Sequence, residues 1–163
     1  MAFFDQAQEM LSQGIDTARG AVSGVAMEQL GFVRGFVRLC NDGWEQGWHE
    51  RNGGNLSYRL RPEDVDTARK FFDKEPRPWT PLGVEVPTMG GAYFLVTGTG
   101  NYMRNVASDP SRNIGIVELS AAGDAYRIVW GLDDGGRPTS EFPTHVMNHA
   151  CLLYTSPSPR DRQ

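Results

Sequence analysis

The stretch that decides the fold is IGIVELSAAGDAYRIVW, residues 114–130. Its first and last six residues are rich in β-branched and aromatic side chains, a composition typical of strands. The five residues between them, Ser120 to Asp124, are small or polar and indicate a turn. The pattern therefore predicts strands at 114–119 and 125–130 that pair as an antiparallel hairpin.

Further strands are predicted upstream of this hairpin. Residues 92–97 form a compact apolar run, and residues 56–60 alternate apolar with polar side chains as in a half-buried strand. Residues 74–91 contain four prolines and little periodicity, which predicts a long loop. Strands and helices are thus mixed, with at least one antiparallel pair.

Three helices are predicted around these strands. Between Met27 and Trp48 the apolar residues recur at three- and four-residue spacing, which predicts a helix whose tryptophans pack in the core. Residues 62–72 begin with proline and acids and predict a short helix. A third helix is expected after Ser140, which we interpret as its N-cap, with Glu141 in its first turn.

Composition and charge exclude several classes of function. The 163 residues carry a net charge of −4 without a basic stripe, so nucleic acid is not expected as a partner. Neither a secretory signal nor an apolar run of membrane-spanning length is evident, so no membrane partner is expected. Cys40 and Cys151 are too far apart in sequence to suggest a disulfide framework. These features predict a protein of the reducing cytoplasm.

Three polar, glycine-containing segments lie beside predicted strands, at 52–55, 97–100 and 138–141. Glycine-rich turns direct backbone N–H groups into one concavity, and Asn, Thr and Ser add neutral donors, so together they predict a phosphate cradle. Each segment alone also fits an ordinary turn or a helix cap.

Glu141 is the candidate proton carrier, provided that it lies beside a bound substrate. A solvated or capping carboxylate is the alternative interpretation of an acid at a helix start. Glu141, His145 and His149 also follow each other at four-residue intervals, so a local metal site is a further hypothesis. The reach of the carboxylate over that span would be strained.

Taken together and in order, the motifs resemble the rhamnulose-1-phosphate aldolases of the class II aldolase/adducin superfamily. The similarity covers about residues 27–150. The matching runs are GWHERNGGNL at 47–56, VTGTG at 96–100, RNV at 104–106, NIGIV at 113–117, WGL at 130–132 and PTSE at 138–141. The resemblance implies a three-layer α/β fold, with a mostly antiparallel central sheet flanked by helices.

The resemblance also implies a function. Members of this family are lyases that cleave L-rhamnulose 1-phosphate to dihydroxyacetone phosphate and L-lactaldehyde in L-rhamnose degradation, using Zn²⁺ to stabilise an enediolate. They assemble as cytoplasmic homotetramers.

Individual residues of this chain match the family's site. Glu141 matches the catalytic glutamate that moves a proton at the enediolate carbon, and glutamate at this position favours an aldolase over the related pentose-phosphate epimerases. Five further residues match positions around the phosphate and the substrate oxygens, although Thr99 stands where serine is usual. These five are Asn52, Gly54, Asn55, Thr99 and Ser140.

The end of the sequence departs from the family pattern. The resemblance implies three zinc-binding histidines, two of them in a His-x-His pair beyond the last helix, but no histidine follows His149. His145 and His149 do not match these ligands, so no metal ligand is assigned in this chain. We therefore expect a chain truncated at its C-terminus, without catalytic zinc and without aldol cleavage.

The expected organisation has three parts: an N-terminal extension at 1–26, a partial aldolase domain at 27–150, and a non-native Ser/Pro/Arg-rich tail at 151–163. The alternative function is a non-catalytic binding or assembly module, as in the adducin branch of the superfamily.

Overall fold

An antiparallel sheet of five strands organises the part of the chain that the structure describes. The computed structural model describes residues 5–11, 26–48 and 54–154, with side chains as far as residue 152. The strands are β1 (Ser57–Arg59), β2 (Thr80–Pro81), β3 (Tyr93–Thr97), β4 (Ile114–Leu119) and β5 (Ala125–Gly131), in the spatial order β1-β3-β4-β5-β2. All four pairings are antiparallel.

The predicted hairpin of β4 and β5 is confirmed. Its turn is closed by Ser120, whose Oγ accepts hydrogen bonds from the N–H groups of Asp124 and Ala125 and donates to the Asp124 carboxylate. A register shift lies where Ile116 pairs with Trp130 and Val117 pairs with Ile128. This bulge lets the adjacent residues Val129 and Trp130 join the same apolar cluster.

Helices and helical turns precede, separate and follow the strands along the described residues. They are α1 at residues 5–11, α2 (Gly31–Glu45), α3 (Pro62–Ala68), α4 (Met103–Val106), α5 (Pro110–Asn113) and α6 (Phe142–Tyr154), with 3₁₀ turns at Arg69–Phe71 and Pro87–Met89. The predicted helix at 62–72 is therefore α up to Ala68 and 3₁₀ beyond it.

The helix predicted between Met27 and Trp48 is shorter than expected. It begins at Gly31 and ends at Glu45, shortly before Gly47, whose φ of +71° is the left-handed conformation that commonly terminates helices. Trp44 is half-buried beneath the guanidinium of Arg104. Trp48 lies past the helix end and is 71% exposed, so the prediction that it packs in the core is wrong.

The predicted loop at 74–91 is partly structured. Thr80 and Pro81 form a two-residue edge strand on β5, and Pro87–Met89 is a 3₁₀ turn. Proline is compatible with a sheet edge because its missing N–H removes no bond to an inner strand. The proline content that suggested an irregular path is thus accommodated at the rim of the sheet.

The sheet separates two apolar clusters, which confirms the three-layer α/β architecture. One face packs against α2 and α3 around Leu95, Ile114 and Ile116. The other packs against α6 and the turn at Pro87–Met89, around Phe94, Val96 and Val117. Among the residues that the structure describes, no helix has the length and apolar character needed to cross a membrane.

Candidate active site

Thr97, at the end of β3, joins two of the three predicted polar segments. Its side chain is 3% exposed, and its Oγ accepts the N–H of Leu56 at 3.1 Å. Its backbone N–H donates to the Leu56 carbonyl, and its own carbonyl accepts the N–H of Thr139 at 2.9 Å. Thr97 therefore fixes the residue that follows Asn55 and the residue that precedes Ser140.

The β3 end continues as a paired segment. Gly98 forms an antiparallel bridge with Pro138, and the N–H of Thr99 donates to the Arg137 carbonyl at 2.9 Å. A Cβ on Gly98 would lie 2.5 Å from Nδ2 of Asn101 and 2.9 Å from Cδ2 of Leu132. Only glycine fits here without a shift of these side chains, which explains part of the Thr97–Gly100 motif.

The entrance to α6 differs from the prediction. The helix begins at Phe142, and the Oγ of Thr139, rather than Ser140, accepts the backbone N–H of Glu141 at 3.3 Å. The prediction of Ser140 as N-cap with Glu141 inside the first turn is thus wrong by about one residue, and the buried Thr139 hydroxyl stabilises the turn that leads into the helix. Ser140 and Glu141 are both exposed at the helix start.

Asn55 and Glu141 meet directly although 86 residues separate them in the sequence. The Nδ2 of Asn55 donates a 2.9 Å hydrogen bond to Oε2 of Glu141. The amide oxygen of Asn55 faces Nε2 of His145 at 2.5 Å. One carboxylate oxygen of Glu141 is therefore held by an amide that is itself held by a histidine.

Ser57 extends this polar contact along β1. Its Oγ lies 2.7 Å from Nδ1 of His145 and 3.0 Å from Nε2 of His149. The ring of His149 packs on Phe94, with centroids 5.2 Å apart. Both histidines thus project from α6 onto the β1 edge of the sheet.

The two histidines favour the neutral state. Burial lowers the pKa of His145 below its usual value of 6.5, against the opposing attraction of Glu141. Burial also lowers the pKa of His149, and the neighbouring charges of His145 and Arg59 act in the same direction. Neutral imidazole carries one donor and one acceptor nitrogen, and this pair matches the contacts of His145 with Ser57 and Asn55.

The sequence-predicted site residues fall into three groups. Asn55 and Glu141 are in direct contact. Thr99 and Ser140 are exposed residues at the ends of the paired segments, and Gly54 is half-buried beside Asn55. Asn52 lies outside the described residues.

Sequence reasoning missed part of this site. The sequence pattern places Ser57 only in an alternating strand, and the spacing of the two histidines suggests only metal ligands. The available signal is the four-residue spacing of Glu141, His145 and His149, which places both histidines on the side of α6 that continues from Glu141. Nothing in the sequence of β1 indicated that Ser57 would be their common partner.

The described residues do not fit a zinc site. Structural and catalytic zinc is held by three or four His, Cys or carboxylate ligands. Both ring nitrogens of His145 and one of His149 already face Ser57 or Asn55. In the part of the chain that the structure describes, no group of three or more His, Cys, Asp or Glu side chains is arranged to hold a metal ion.

Comparison with known proteins places this arrangement in a family. Residues 34–152 match the family model described as the class II aldolase and adducin N-terminal domain. Proteins named rhamnulose-1-phosphate aldolase from Escherichia coli K12 and from E. coli O1:K1 are each 40% identical over 131 residues, which is 80% of this chain and 47% of theirs. The chain thus spans about half the length of these curated relatives.

A solved structure agrees with these sequence relatives. The crystal structure of a sugar-phosphate aldolase from Thermotoga maritima superposes with a TM-score of 0.56 at 33% identity, covering 75% of this chain and 47% of that one. The resemblance inferred from the motifs is therefore confirmed by sequence and by fold.

Proposed function

Because the chain belongs to the class II aldolase and adducin N-terminal domain family, we propose that it supplies the phosphate-binding and proton-transfer part of a rhamnulose-1-phosphate aldolase site. The substrate is then L-rhamnulose 1-phosphate, and the products are dihydroxyacetone phosphate and L-lactaldehyde. The names of the relatives from E. coli and T. maritima support a sugar phosphate as the substrate class.

The observation that carries this proposal is the contact between Asn55 and Glu141. An exposed carboxylate ordinarily samples several rotamers, and fixing it in one rotamer costs conformational entropy. Here Oε2 accepts a hydrogen bond from an amide that is anchored on its other side. An oriented carboxylate at a helix entrance suits a group that must meet one substrate atom.

Glu141 acts on the ketone-side carbon of the carbon–carbon bond that is cleaved. The hydroxyl on the aldehyde-side carbon gives up its proton to water as the carbon–carbon bond breaks, which releases the aldehyde and leaves an electron pair on the ketone-side carbon. The protonated carboxyl of Glu141 delivers a proton to that carbon, giving dihydroxyacetone phosphate and leaving the carboxylate. In the synthetic direction the carboxylate removes the same proton. General acid–base assistance of this kind contributes about 10²- to 10⁴-fold to a rate.

Neutral donors bind the phosphate in this proposal. Thr99 and Ser140 are exposed, and the pairing of residues 97–99 with 137–139 fixes the segments that carry them. Hydroxyl and backbone N–H groups of Gly54, Thr99 and Ser140, together with the amides of Asn52 and Asn55, are the proposed donors to the phosphate and substrate oxygens.

Class II aldolases generally use zinc, and its ligands are not assigned to the described residues of this chain, so no step of the proposal passes through the metal. A cytoplasmic homotetramer is the proposed assembly of the whole enzyme. Both properties rest on the family resemblance rather than on contacts within this structure.

A chimera tests the proposal. Residues 34–152 of this chain would replace the matching segment of the E. coli K12 relative, and cleavage of L-rhamnulose 1-phosphate would be followed by release of dihydroxyacetone phosphate with zinc present. We expect an active chimera in which Glu141→Gln lowers kcat by about 10²- to 10⁴-fold, because the amide cannot carry the proton. Sugar-phosphate KM should change far less.

Glu85→Gln is the matched control, since Glu85 is an exposed carboxylate in the segment before the Pro87–Met89 turn. Equal rates for the Glu141→Gln and Glu85→Gln chimeras would refute the assignment of Glu141. A folded chimera without any cleavage would instead favour a non-catalytic, adducin-like binding or assembly module.

A further inference from the structure

We propose that His145 is a positioning residue for Glu141, acting through Asn55 as part of a one-way chain of hydrogen bonds that starts at His149 and passes through Ser57. The proposal rests on the proposed function only in what Glu141 does. The chain itself follows from five side chains whose contacts lie between 2.5 and 3.0 Å.

The direction of the chain is determined at its Glu141 end. An ionised carboxylate can only accept, so Asn55 must present its NH₂ group to Oε2. The amide oxygen of Asn55 then faces His145, and a carbonyl oxygen can only accept. Nε2 of His145 must therefore carry a hydrogen and donate to Asn55.

The same reasoning fixes the remaining members. A neutral His145 with hydrogen on Nε2 has a bare Nδ1, which must accept from the Ser57 hydroxyl. The only hydroxyl hydrogen of Ser57 is used in this bond, so the Ser57 oxygen can only accept from His149. Nε2 of His149 must therefore carry a hydrogen and donate it. Every donor thus points toward Glu141, and each bond polarises the next in the same direction.

The surroundings favour the neutral tautomers that this chain needs. His145 is half-buried between β1 and α6, facing Asn55 and Ser57 from the strand side and Glu141 and His149 along its own helix. Arg59 is a further charged group beside His149, and Phe94 packs on the His149 ring. A cation at either histidine would lie in this partly desolvated region and is disfavoured.

The consequence is a carboxylate with one oxygen fixed. Because Oε2 is occupied by Asn55, the other oxygen of Glu141 is the one presented to substrate, in an orientation set from β1. His145 does not touch substrate in this arrangement. Its contribution is the restraint on Asn55, which would otherwise be free to rotate and to present its amide oxygen to the carboxylate.

The first experiment reads the tautomers in the unmodified 163-residue chain. With ¹⁵N-histidine labelling, two-bond ¹⁵N–¹H correlation spectra at pH 7.5 distinguish the two neutral forms, and single His145→Gln and His149→Gln variants assign the signals. We expect both rings to carry hydrogen on Nε2. Hydrogen on Nδ1 of His145 would overturn the proposal, because two acceptors would then face each other at Asn55.

The second experiment tests the restraint on Asn55. We expect His145→Leu to speed exchange of the Asn55 side-chain amide hydrogens with water by about fivefold, since one hydrogen bond contributes about 1 kcal/mol. His145→Gln retains an N–H donor and should restore slower exchange. Asn148→Leu places the same side chain on an exposed position of α6 and should leave exchange unchanged.

The outcomes separate this proposal from the proposed function. Unchanged Asn55 exchange in His145→Leu would refute the positioning role whatever the chimera does. Conversely, the expected tautomers and exchange rates in a chain whose chimera shows no cleavage would retain the hydrogen-bond chain and refute the aldolase assignment. Should His145→Leu fail to fold, the tautomer measurement on the unmodified chain still decides.

Discussion

The centre of the sheet and its β1 edge are built on different principles. In β4, five of six residues are buried, and they are apolar or glycine. In β1 all three residues are half-buried, and Ser57 and Arg59 are polar. The central strands are thus held by apolar contact on both faces, whereas the β1 edge presents side chains that bond to α6.

This difference separates the contacts that stabilise the fold from those that orient polar side chains. The centre of the sheet is closely packed, so it tolerates no extra side-chain volume. The hydrophobic effect is non-directional, so it does not orient any particular polar atom. Hydrogen bonds are directional, so Asn55 and Ser57 can orient Glu141 while contributing less to the free energy of unfolding. Changes at the centre should therefore cost more stability than changes at the edge.

Gly131→Ala should have the largest effect. Gly131 ends β5 with a φ of +75°, and a Cβ there would lie 2.4 Å from the Ile114 carbonyl oxygen and 2.9 Å from Cα of Gly115. A left-handed backbone with a side chain costs about 1–2 kcal/mol, and overpacking against backbone adds about 1–3 kcal/mol. We expect the free energy of unfolding, measured in urea, to fall by about 3 kcal/mol.

Gly135→Ala separates the two causes. Gly135 has nearly the same φ, +76°, but no heavy atom within 4 Å of its added Cβ. Its substitution should lower the free energy of unfolding by about 1 kcal/mol, because only backbone strain is added. Equal losses for the two variants would contradict the close packing of β5 against β4.

Ser57→Ala should have a smaller effect, confined to the edge. The change removes the hydroxyl that meets Nδ1 of His145 and Nε2 of His149, leaving two half-buried polar atoms unpaired. Such a loss costs about 1–2 kcal/mol. Urea unfolding would measure it, with Ser108→Ala as control.

The Ser108 hydroxyl is exposed and bonds only to a neighbouring carbonyl, so its removal should cost less than about 0.5 kcal/mol. A Ser57→Ala variant as stable as Ser108→Ala would mean that water replaces the hydroxyl, and that the β1 edge contributes nothing measurable to stability.

The fold was predictable where local sequence patterns coincide with burial. The runs at 114–119 and 125–130 are strands because their β-branched residues face both apolar clusters, and Ser120 closes the turn as its composition indicates. Trp48 was mispredicted because the helical spacing of apolar residues continues to Trp48, whereas α2 ends before Gly47. Apolar periodicity indicates which face of a helix is buried, but it does not indicate the residue at which the helix ends.

The site was predictable only in part. The glycine and hydroxyl motifs could be found because their residue types restrict backbone and hydrogen-bonding chemistry, and the resemblance ordered them. The partnership of Ser57 with His145 spans 88 residues and depends on the register of β1 against β3, which no local pattern contains. The turn at Thr139 before α6 depends likewise on the pairing of Thr139 with Thr97.

The smallest effect is the pH dependence that the β1 edge imposes on stability. The pKa values of His145 and His149 lie below 6.5 in the folded chain, so the unfolded chain binds more protons as the pH falls through 6.5. Stability from this source is complete above that pH and is lost as the pH falls toward the folded pKa values. Partial exposure limits the loss to less than about 1 kcal/mol between pH 7 and pH 5.5.

Two carboxyl groups act in the opposite direction as the pH falls toward their ordinary pKa values. Burial raises the pKa of Glu28 and of Asp73, so the folded chain binds protons there more readily and gains stability as the pH falls. The histidine contribution is therefore the difference between the unmodified chain and a His145→Gln/His149→Gln variant, in which the carboxyl effects cancel. We expect the unmodified chain to lose more stability between pH 7 and pH 5.5 than this variant, and Asn148→Gln to behave like the unmodified chain. If the unmodified chain and both variants showed parallel profiles of stability against pH, both histidine rings would titrate as in water. Burial would then not be the cause of the neutral state of the two histidines at the β1 edge.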